Sequence, residues 1–343
     1  MVAVGMRKFL FWPHLAAGVV AGLVILVMSV TGVLLTYEKQ VVAWADSPAN
    51  RVPIPDGSAR LSIDQLLAVA PAKPTALTLS NDPTAAAQLT LPQNRIVFVD
   101  PYTGRINGEG SVPTRNFFRQ VTAWHRWLGQ NTPITKGITG ASNLAFLFLL
   151  LTGVPMWIQR PIVWFRQRLS NKARDYNWHH VLGIWASVPL LLIVCTAVFF
   201  SYSWATPLLY RVTGEALPAP EHPAAVGLGP YQPLLLKFQR APWRTITLRP
   251  ASGWFTVEEG SWGRMDLKTQ WVFDPASGAL LRTERFEDLP LARRLRTWVR
   301  TVHTGEAAGW LGQTVAGLAS AAAVVLVWTG LALSWRRLRV ARS

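Results

Sequence analysis

The stretch NWHHVLGIWASVPLLLIVCTAVFFSY, Asn177–Tyr202, decides the fold class. Two adjacent histidines, His179 and His180, open it, and an apolar run without charge follows. That run is long enough to cross a bilayer, which takes about 20 residues as a helix. Its opening spacing, His179 to Gly183, recurs as His14 to Gly18 at the start of another apolar run. A histidine at the mouth of two separate spans points to a group held between helices.

Working outward, the 343 residues are 50% hydrophobic and contain four long apolar runs. They cover about Leu15–Thr36, Ile138–Ile158, Val181–Tyr202 and Trp310–Ser334, and each is long enough to span. The expectation is an all-α membrane four-helix bundle in a lipid bilayer. The first run is too long for the core of a cleaved signal peptide, and no small-residue cleavage site follows it.

The net charge of +16 reads first as topology. Arg7 and Lys8 precede the first span; Arg160, Arg166, Arg168, Lys172 and Arg174 fill the short second loop; Arg336, Arg337, Arg339 and Arg342 end the chain. Asp175 is the only acid in these segments. By the positive-inside bias, both termini and the second loop are cytoplasmic, and the connections 37–137 and 203–309 are external. Confinement of the basic clusters to span ends argues against nucleic acid as a partner. Cys195, the only cysteine, lies within a span, so the external segments hold no disulfide and no haem-attachment motif.

The two external segments follow one plan. In the first, a polar linker (Asp46–Arg60) leads to LSIDQLLAVA, 61–70, a helix with Ser62 as N-cap. TALTLS (75–80), AAQLTL (86–91) and RIVFVD (95–100) then alternate as strands, and PYTG (101–104) supplies a tight turn. In the second, YQPLLLKF (231–238) is the candidate helix, and TITLRP, WFTVEE and QWVFDP are the strands, ending in PASG (275–278). FVDPYTG and VFDPASG are two copies of one hairpin. WHRWLGQ (124–130) precedes the second span, as His303 and WLGQ (310–313) precede the fourth, and TG follows at 152–153 and 329–330. The offsets His14 to His179 (165), Asp100 to Asp274 (174), His125 to His303 (178) and Gly153 to Gly330 (177) are nearly constant. This indicates an internal duplication in which each half is span, small α+β module, histidine, span.

The topology sorts the six histidines. His14 and His179 lie at the cytoplasmic face, His125 and His303 at the external face, and His222 in a Pro/Ala-rich external loop where solvation suffices. One histidine at a span end is ordinarily a snorkelling or capping residue. Four at repeat-matched positions, paired by side, fit two bis-imidazole haems, since haem iron takes two axial nitrogens from opposite faces. His179 matches the spacing of His14; His180, about 100° away on the helix, is the alternative ligand or a partner for a propionate. Gly18, Gly22 and Gly183 give close approach to a neighbouring helix or to a flat macrocycle. No HExxH or similar zinc cluster occurs. Arg115, Arg119, Arg126, Arg282, Arg285, Arg293, Arg294, Arg296 and Arg300 neighbour the external histidines in sequence. They suit haem propionates, an anionic substrate or lipid headgroups alike.

The DPYTG and DPASG hairpins, with HLAAG, WHRWLG, HHVLGIW and HTGE…WLGQ, resemble the PepSY-associated transmembrane proteins over nearly the whole chain. Within that family the chain is similar to the iron-regulated inner-membrane siderophore reductases. The resemblance implies transmembrane helices at 1–37, 121–160, 177–204 and 296–343, the second and last segments each including a periplasmic helix and the last a cytoplasmic tail. It implies PepSY-like periplasmic modules at 38–120 and 205–295 and a cytoplasmic loop at 161–176. It also implies two haem b groups, ligated by His14 with His179 and by His125 with His303, and an oxidoreductase that reduces ferric siderophore to Fe(II) in the periplasm. The histidine doublet departs from the pattern and leaves His180 open as the third-span ligand. No G-x-G-x-x-G fingerprint occurs, so the electron donor is a cytoplasmic reductase or a quinol. Two rivals are a non-redox PepSY protein that binds peptides or regulates proteases, and a siderophore transporter. The scarcity of ionisable residues and the expectation of unbroken spans speak against the transporter.

Overall fold

The computed structural model describes residues 2–57, 59–218, 231, 243–252, 254–259, 267–273 and 279–340, the side chains of 2–8, 252, 273 and 340 aside. His222, most of the 231–238 segment and the 274–278 turn lie outside the described residues. The chain divides into two units. One comprises the described residues of Met1–Glu38, Phe117–Gly214 and Arg296–Ser343, the other those of Lys39–Asn116 and Glu215–Leu295.

The helical unit is built on α1 (Val2–Leu35), with α2 (Glu38–Asn50) and α3 (Ile63–Ala68) belonging to the other unit. Then come α4 (Val112–Trp127), α5 (Pro133–Ile158), α6 (Asn171–Trp185), α7 (Ser187–Ser201), α8 (Ala205–Thr213), α9 (Leu291–His303) and α10 (Gly309–Val340). The stretches Phe9–Leu35, Pro133–Ile158 and Glu306–Arg339 are helices long and apolar enough to cross a membrane. α6 and α7 pass that test together as one bent span. α1 packs against α5 and α10, α10 against α6 and α7, and α5 against α7. α5 starts where Thr132 and Thr135 form a reciprocal cap and Pro133 fixes the first turn. Many outward side chains, such as Val20 and Leu23, are exposed. A surface so apolar suits contact with hydrocarbon.

The sequence reading expects an unbroken third span over 177–204; the structure breaks it at Ala186 with a 66° bend. Pro189 is the cause. It has no N–H to give the Trp185 carbonyl one turn back, and its ring crowds that carbonyl. Around the bend the backbone stays bonded, with Ala186 N donating to Leu182 O and Leu190 N to Ala186 O, both at 2.9 Å. Ser187 Oγ donates to Ile184 O at 2.7 Å. Ala186 and Leu190 pack with Ala319, Ala323 and Leu326 of α10. The start of α6 is tied to the end of α10 by Asp175, which is buried and accepts from Arg336 at 2.6 Å and from Arg174 at 3.1 Å.

The second unit carries one sheet of eight strands: β1 (Ala76–Ser80), β2 (Ala87–Thr90), β3 (Ile96–Val99), β4 (Ile106–Glu109), β5 (Thr245–Arg249), β6 (Trp254–Glu258), β7 (Lys268–Phe273) and β8 (Leu280–Arg285). Their order is β4-β3-β2-β1-β5-β6-β7-β8, each pairing antiparallel. The two meanders thus share one sheet, joined where β1 meets β5 with Leu77 opposite Leu248 and Thr78 opposite Thr247. An unpaired first strand in each meander would leave a row of free amides and carbonyls, and the junction satisfies both rows. Leu77, Leu89, Val97, Ile246, Leu248 and Phe255 form its core with Ile63 and Leu66 of α3. Ser62 caps α3 reciprocally with Gln65. The PYTG turn closes on Asp100, whose carbonyl accepts from Gly104 N at 2.9 Å, with Gly104 at φ +73°.

The expected linker Asp46–Arg60 is different: its first residues lie in α2. Asp46 is buried there and accepts from Ser111 N and Arg115 Nη1, both at 2.7 Å. A carboxylate beside a helix N-terminus is favourable, and the terminus it meets here is that of α4. Glu215 does the same for α9, accepting from Leu291 N at 2.7 Å and Ala292 N at 2.9 Å.

Leu248 is 1% exposed at the junction strand. Its replacement by Ala is expected to destabilise the sheet unit by about 2–5 kcal/mol. Hydrogen exchange in urea checks this: faster opening of both β1 and β2 as well as β5 and β6 is expected, whereas opening confined to β5 and β6 would mean the two meanders do not fold as one.

Candidate functional site

Four of the six histidines sit in equivalent surroundings. His14 of α1 bonds through Nδ1 to Thr152 Oγ1 of α5 at 2.8 Å, and His179 of α6 to Thr329 Oγ1 of α10 at 3.0 Å. His125 of α4 bonds through Nδ1 to Thr31 Oγ1 of α1 at 3.0 Å, and His303 of α9 to Thr196 Oγ1 of α7 at 3.1 Å.

Each threonine hydroxyl has its own proton committed one turn back. Thr31 donates to Val27 O at 2.6 Å, Thr152 to Phe148 O, Thr196 to Leu192 O and Thr329 to Val325 O, each of these three at 2.7 Å. A hydroxyl has one proton, so its oxygen accepts from the imidazole. His125 and His303 also point Nδ1 at carbonyls, Met28 O at 2.9 Å and Ile193 O at 3.0 Å, which only accept. The proton of all four rings therefore sits on Nδ1. Nε2 is left with its lone pair and no hydrogen-bond partner among the described residues. That is the state of a metal-ligating histidine, oriented by the bond at its other nitrogen.

The residue after each threonine is small: Gly32, Gly153, Ala197 and Gly330. A Cβ added at Gly330 would stand 3.3 Å from His179 Cε1, at Gly153 3.5 Å from His14 Cε1, and at Gly32 3.6 Å from His125 Cε1. The rings thus lie against helix backbone. Thr-Gly in a span is one device, a hydroxyl to bond the ring and a gap to seat it.

The His125 and His303 ring centres are 6.4 Å apart. Imidazoles on opposite faces of one metal, with nitrogens about 2.0 Å from it, place ring centres roughly 6 Å apart. The donor chemistry and spacing fit bis-imidazole haem. Along α1, His14 and Thr31 are 17 residues apart (31 − 14), about 25 Å at the helical rise. The two histidine sets therefore stand near opposite ends of the span. Among the described residues no group of three or more His, Cys, Asp and Glu side chains comes together to hold a bare metal ion.

His125 and His303 lie outside the spanning segments, and both are held neutral. Loss of hydration, then His303 and Arg126, push His125 down to about 4, against the lesser pull of its bond to Met28 O. Loss of hydration likewise lowers His303 against the bond to Ile193 O. Neutral imidazole is the ligating form.

His180 stands apart from the four. Its Nδ1 bonds Tyr176 O of its own helix at 2.9 Å, and its ring lies 4.0 Å from that of Tyr176. Gly18, Gly22 and Gly183 face leucine side chains across helix contacts: Leu149, Leu331 and Leu326. Of the arginines, Arg115 pairs with Asp46, Arg282 and Arg293 with Glu284, and Arg285 with Glu287. Arg296 bonds Thr206 Oγ1 at 3.2 Å, and Arg126 lies over Trp127 at 4.7 Å. Arg119, Arg126, Arg296 and Arg300 form no ion pair among the described residues. The four threonines were missed as site residues in the sequence reading, although the Thr-Gly dipeptides at 152–153 and 329–330 were the visible signal.

The family of the PepSY-associated TM region matches residues 11–337, and the chain belongs to it. With its apolar helices, this makes it a multi-pass membrane protein. No curated protein matches the chain.

The turn after His303 fixes that ring relative to α10. Gly305 has φ +76°, and a Cβ there would stand 2.2 Å from Gly312 O, a backbone atom unable to swing aside. Gly305→Ala is expected to cost at least about 1–3 kcal/mol from backbone strain alone. Thermal unfolding of the detergent-solubilised protein reads it as a lowered midpoint; an unchanged midpoint would contradict this packing of the turn.

Proposed function

We propose that the chain is a di-haem b protein of the bacterial inner membrane that passes electrons from the cytoplasmic side to ferric siderophore in the periplasm, releasing Fe(II). One observation carries this reading: two pairs of histidines near opposite ends of a span, each with Nδ1 bonded and Nε2 bare. Haem held in each pair would supply a one-electron Fe(III)/Fe(II) couple.

The chain's own residues supply the rest. His14 with His179, and His125 with His303, would hold the two haems. The threonines orient the imidazoles, and the apolar helices keep water from the path between the two levels. His180, bonded to its own helix, serves beside His179 rather than in its place. Arg119, Arg126, Arg296 and Arg300 lie on the two helices that carry His125 and His303, and neither helix contains an acid. Such a surface suits anionic propionates or an anionic ferric chelate. The basic loop and tail favour cytoplasmic termini. The donor is a cytoplasmic reductase or a quinol, because the chain has no dinucleotide fingerprint.

An internal duplication is part of the proposal, and the threonines support it. Thr31 and Thr196 differ by 165, as His14 and His179 do; Thr152 and Thr329 differ by 177, against 178 for His125 and His303.

The test is a reduced-minus-oxidised spectrum with haem quantification on the wild type and on His14→Ala, His125→Ala, His179→Ala and His303→Ala. Two haems in the wild type and loss of about one in each variant are expected. A wild type with no haem would support a non-redox peptide-binding protein instead, and variants that all keep two haems would remove these ligands. His180→Ala is expected to keep both.

A further inference from the structure

We propose that Thr31, Thr152, Thr196 and Thr329 are positioning residues for the four imidazoles, and that Thr152 is the sole acceptor for the Nδ1 proton of its histidine. It follows that the His14–His179 centre is the one a threonine hydroxyl tunes. This inference rests on the haem reading above.

The four sites differ in one respect. His125 has two acceptors, Thr31 Oγ1 and Met28 O. His303 likewise has Thr196 Oγ1 and Ile193 O. His179 has Thr329 Oγ1 as its acceptor. Among the described residues, His14 has Thr152 Oγ1 alone. Removing Thr31 or Thr196 leaves a carbonyl to take the proton. Removing Thr152 leaves a partly buried N–H with nothing to bond, in surroundings where a lost partner is costly.

The consequence is electronic as well as steric. A bond from Nδ1–H to an acceptor raises the basicity of Nε2, which stabilises the higher charge on a ligated metal. Without it the ligand donates less and the reduced metal is favoured. A Cβ at position 153 would stand 3.5 Å from His14 Cε1, so the ring lies close against α5 where glycine leaves it room. Valine matches threonine in shape and lacks only the hydroxyl; serine keeps the hydroxyl and lacks the methyl.

The experiment is a potentiometric titration of the purified full-length protein, followed by its haem absorption, on the wild type and on Thr152→Val, Thr152→Ser and Thr196→Val. In Thr152→Val one of the two midpoints is expected to rise while the other stays. In Thr152→Ser both stay at wild-type values, and Thr196→Val shifts its midpoint less than Thr152→Val does. Should Thr152→Val lose one haem, retention of both by Thr152→Ser supports the hydroxyl's role, and loss in both variants overturns it. Unmoved midpoints in Thr152→Val, or equal shifts in Thr152→Val and Thr196→Val, also overturn it. A wild type without haem is a different result: it defeats the functional reading rather than the placement of Thr152.

Discussion

The bond from an imidazole Nδ1–H to a threonine hydroxyl on another element is the interaction on which this structure depends. Between apolar helices a polar ring is costly unless its proton has an acceptor. Threonine provides one without disturbing its helix, since its own proton returns to the carbonyl one turn back. Each such bond joins two elements: α1 to α5, α6 to α10, α4 to α1, and α9 to α7. The same bonds settle which nitrogen of each ring is bare. Helix packing and the orientation of the imidazoles are therefore one arrangement.

One continuous helix, α1, carries His14 near one end and Thr31, the partner of His125, near the other. One rigid element thus meets both histidine levels and would keep their separation constant. On the other side α6 and α7 divide the same task across the Pro189 bend, with His179 before it and Thr196 after it. Asp175, buried between Arg174 and Arg336, secures the α6 end of that broken span. Breaking a buried pair of this kind leaves an uncompensated charge, so it fixes position more than it adds stability.

Much of this was legible in the sequence, and the misses have physical causes. Apolar runs report hydrocarbon contact directly, so the membrane helices could be read from length alone. Alternation reported β1, β2, β3, β5, β6 and β7, and helical spacing with Ser62 as N-cap announced α3. The junction of β1 with β5 was not legible, because strand pairing across more than 160 residues leaves no local trace. The bend was missed because Pro189 lies within an apolar run that reads as one span. Asp46 looked like linker because its partners, Ser111 and Arg115, come from a distant turn. The histidine pairs were visible through their repeat spacing. The threonines were not, since a hydroxyl within a span is ordinary until the ring it bonds is known.

The claim that matters most is that the two histidine levels form a path for electrons across the membrane. Its most direct measurement uses sealed vesicles containing the purified protein, a reductant trapped inside and ferric siderophore outside with a coloured Fe(II) chelator. The account predicts Fe(II) outside at a rate that follows protein content and falls to the protein-free level in His14→Ala and in His303→Ala. Formation of Fe(II) at an equal rate in protein-free vesicles, or undiminished formation in both variants, would contradict it.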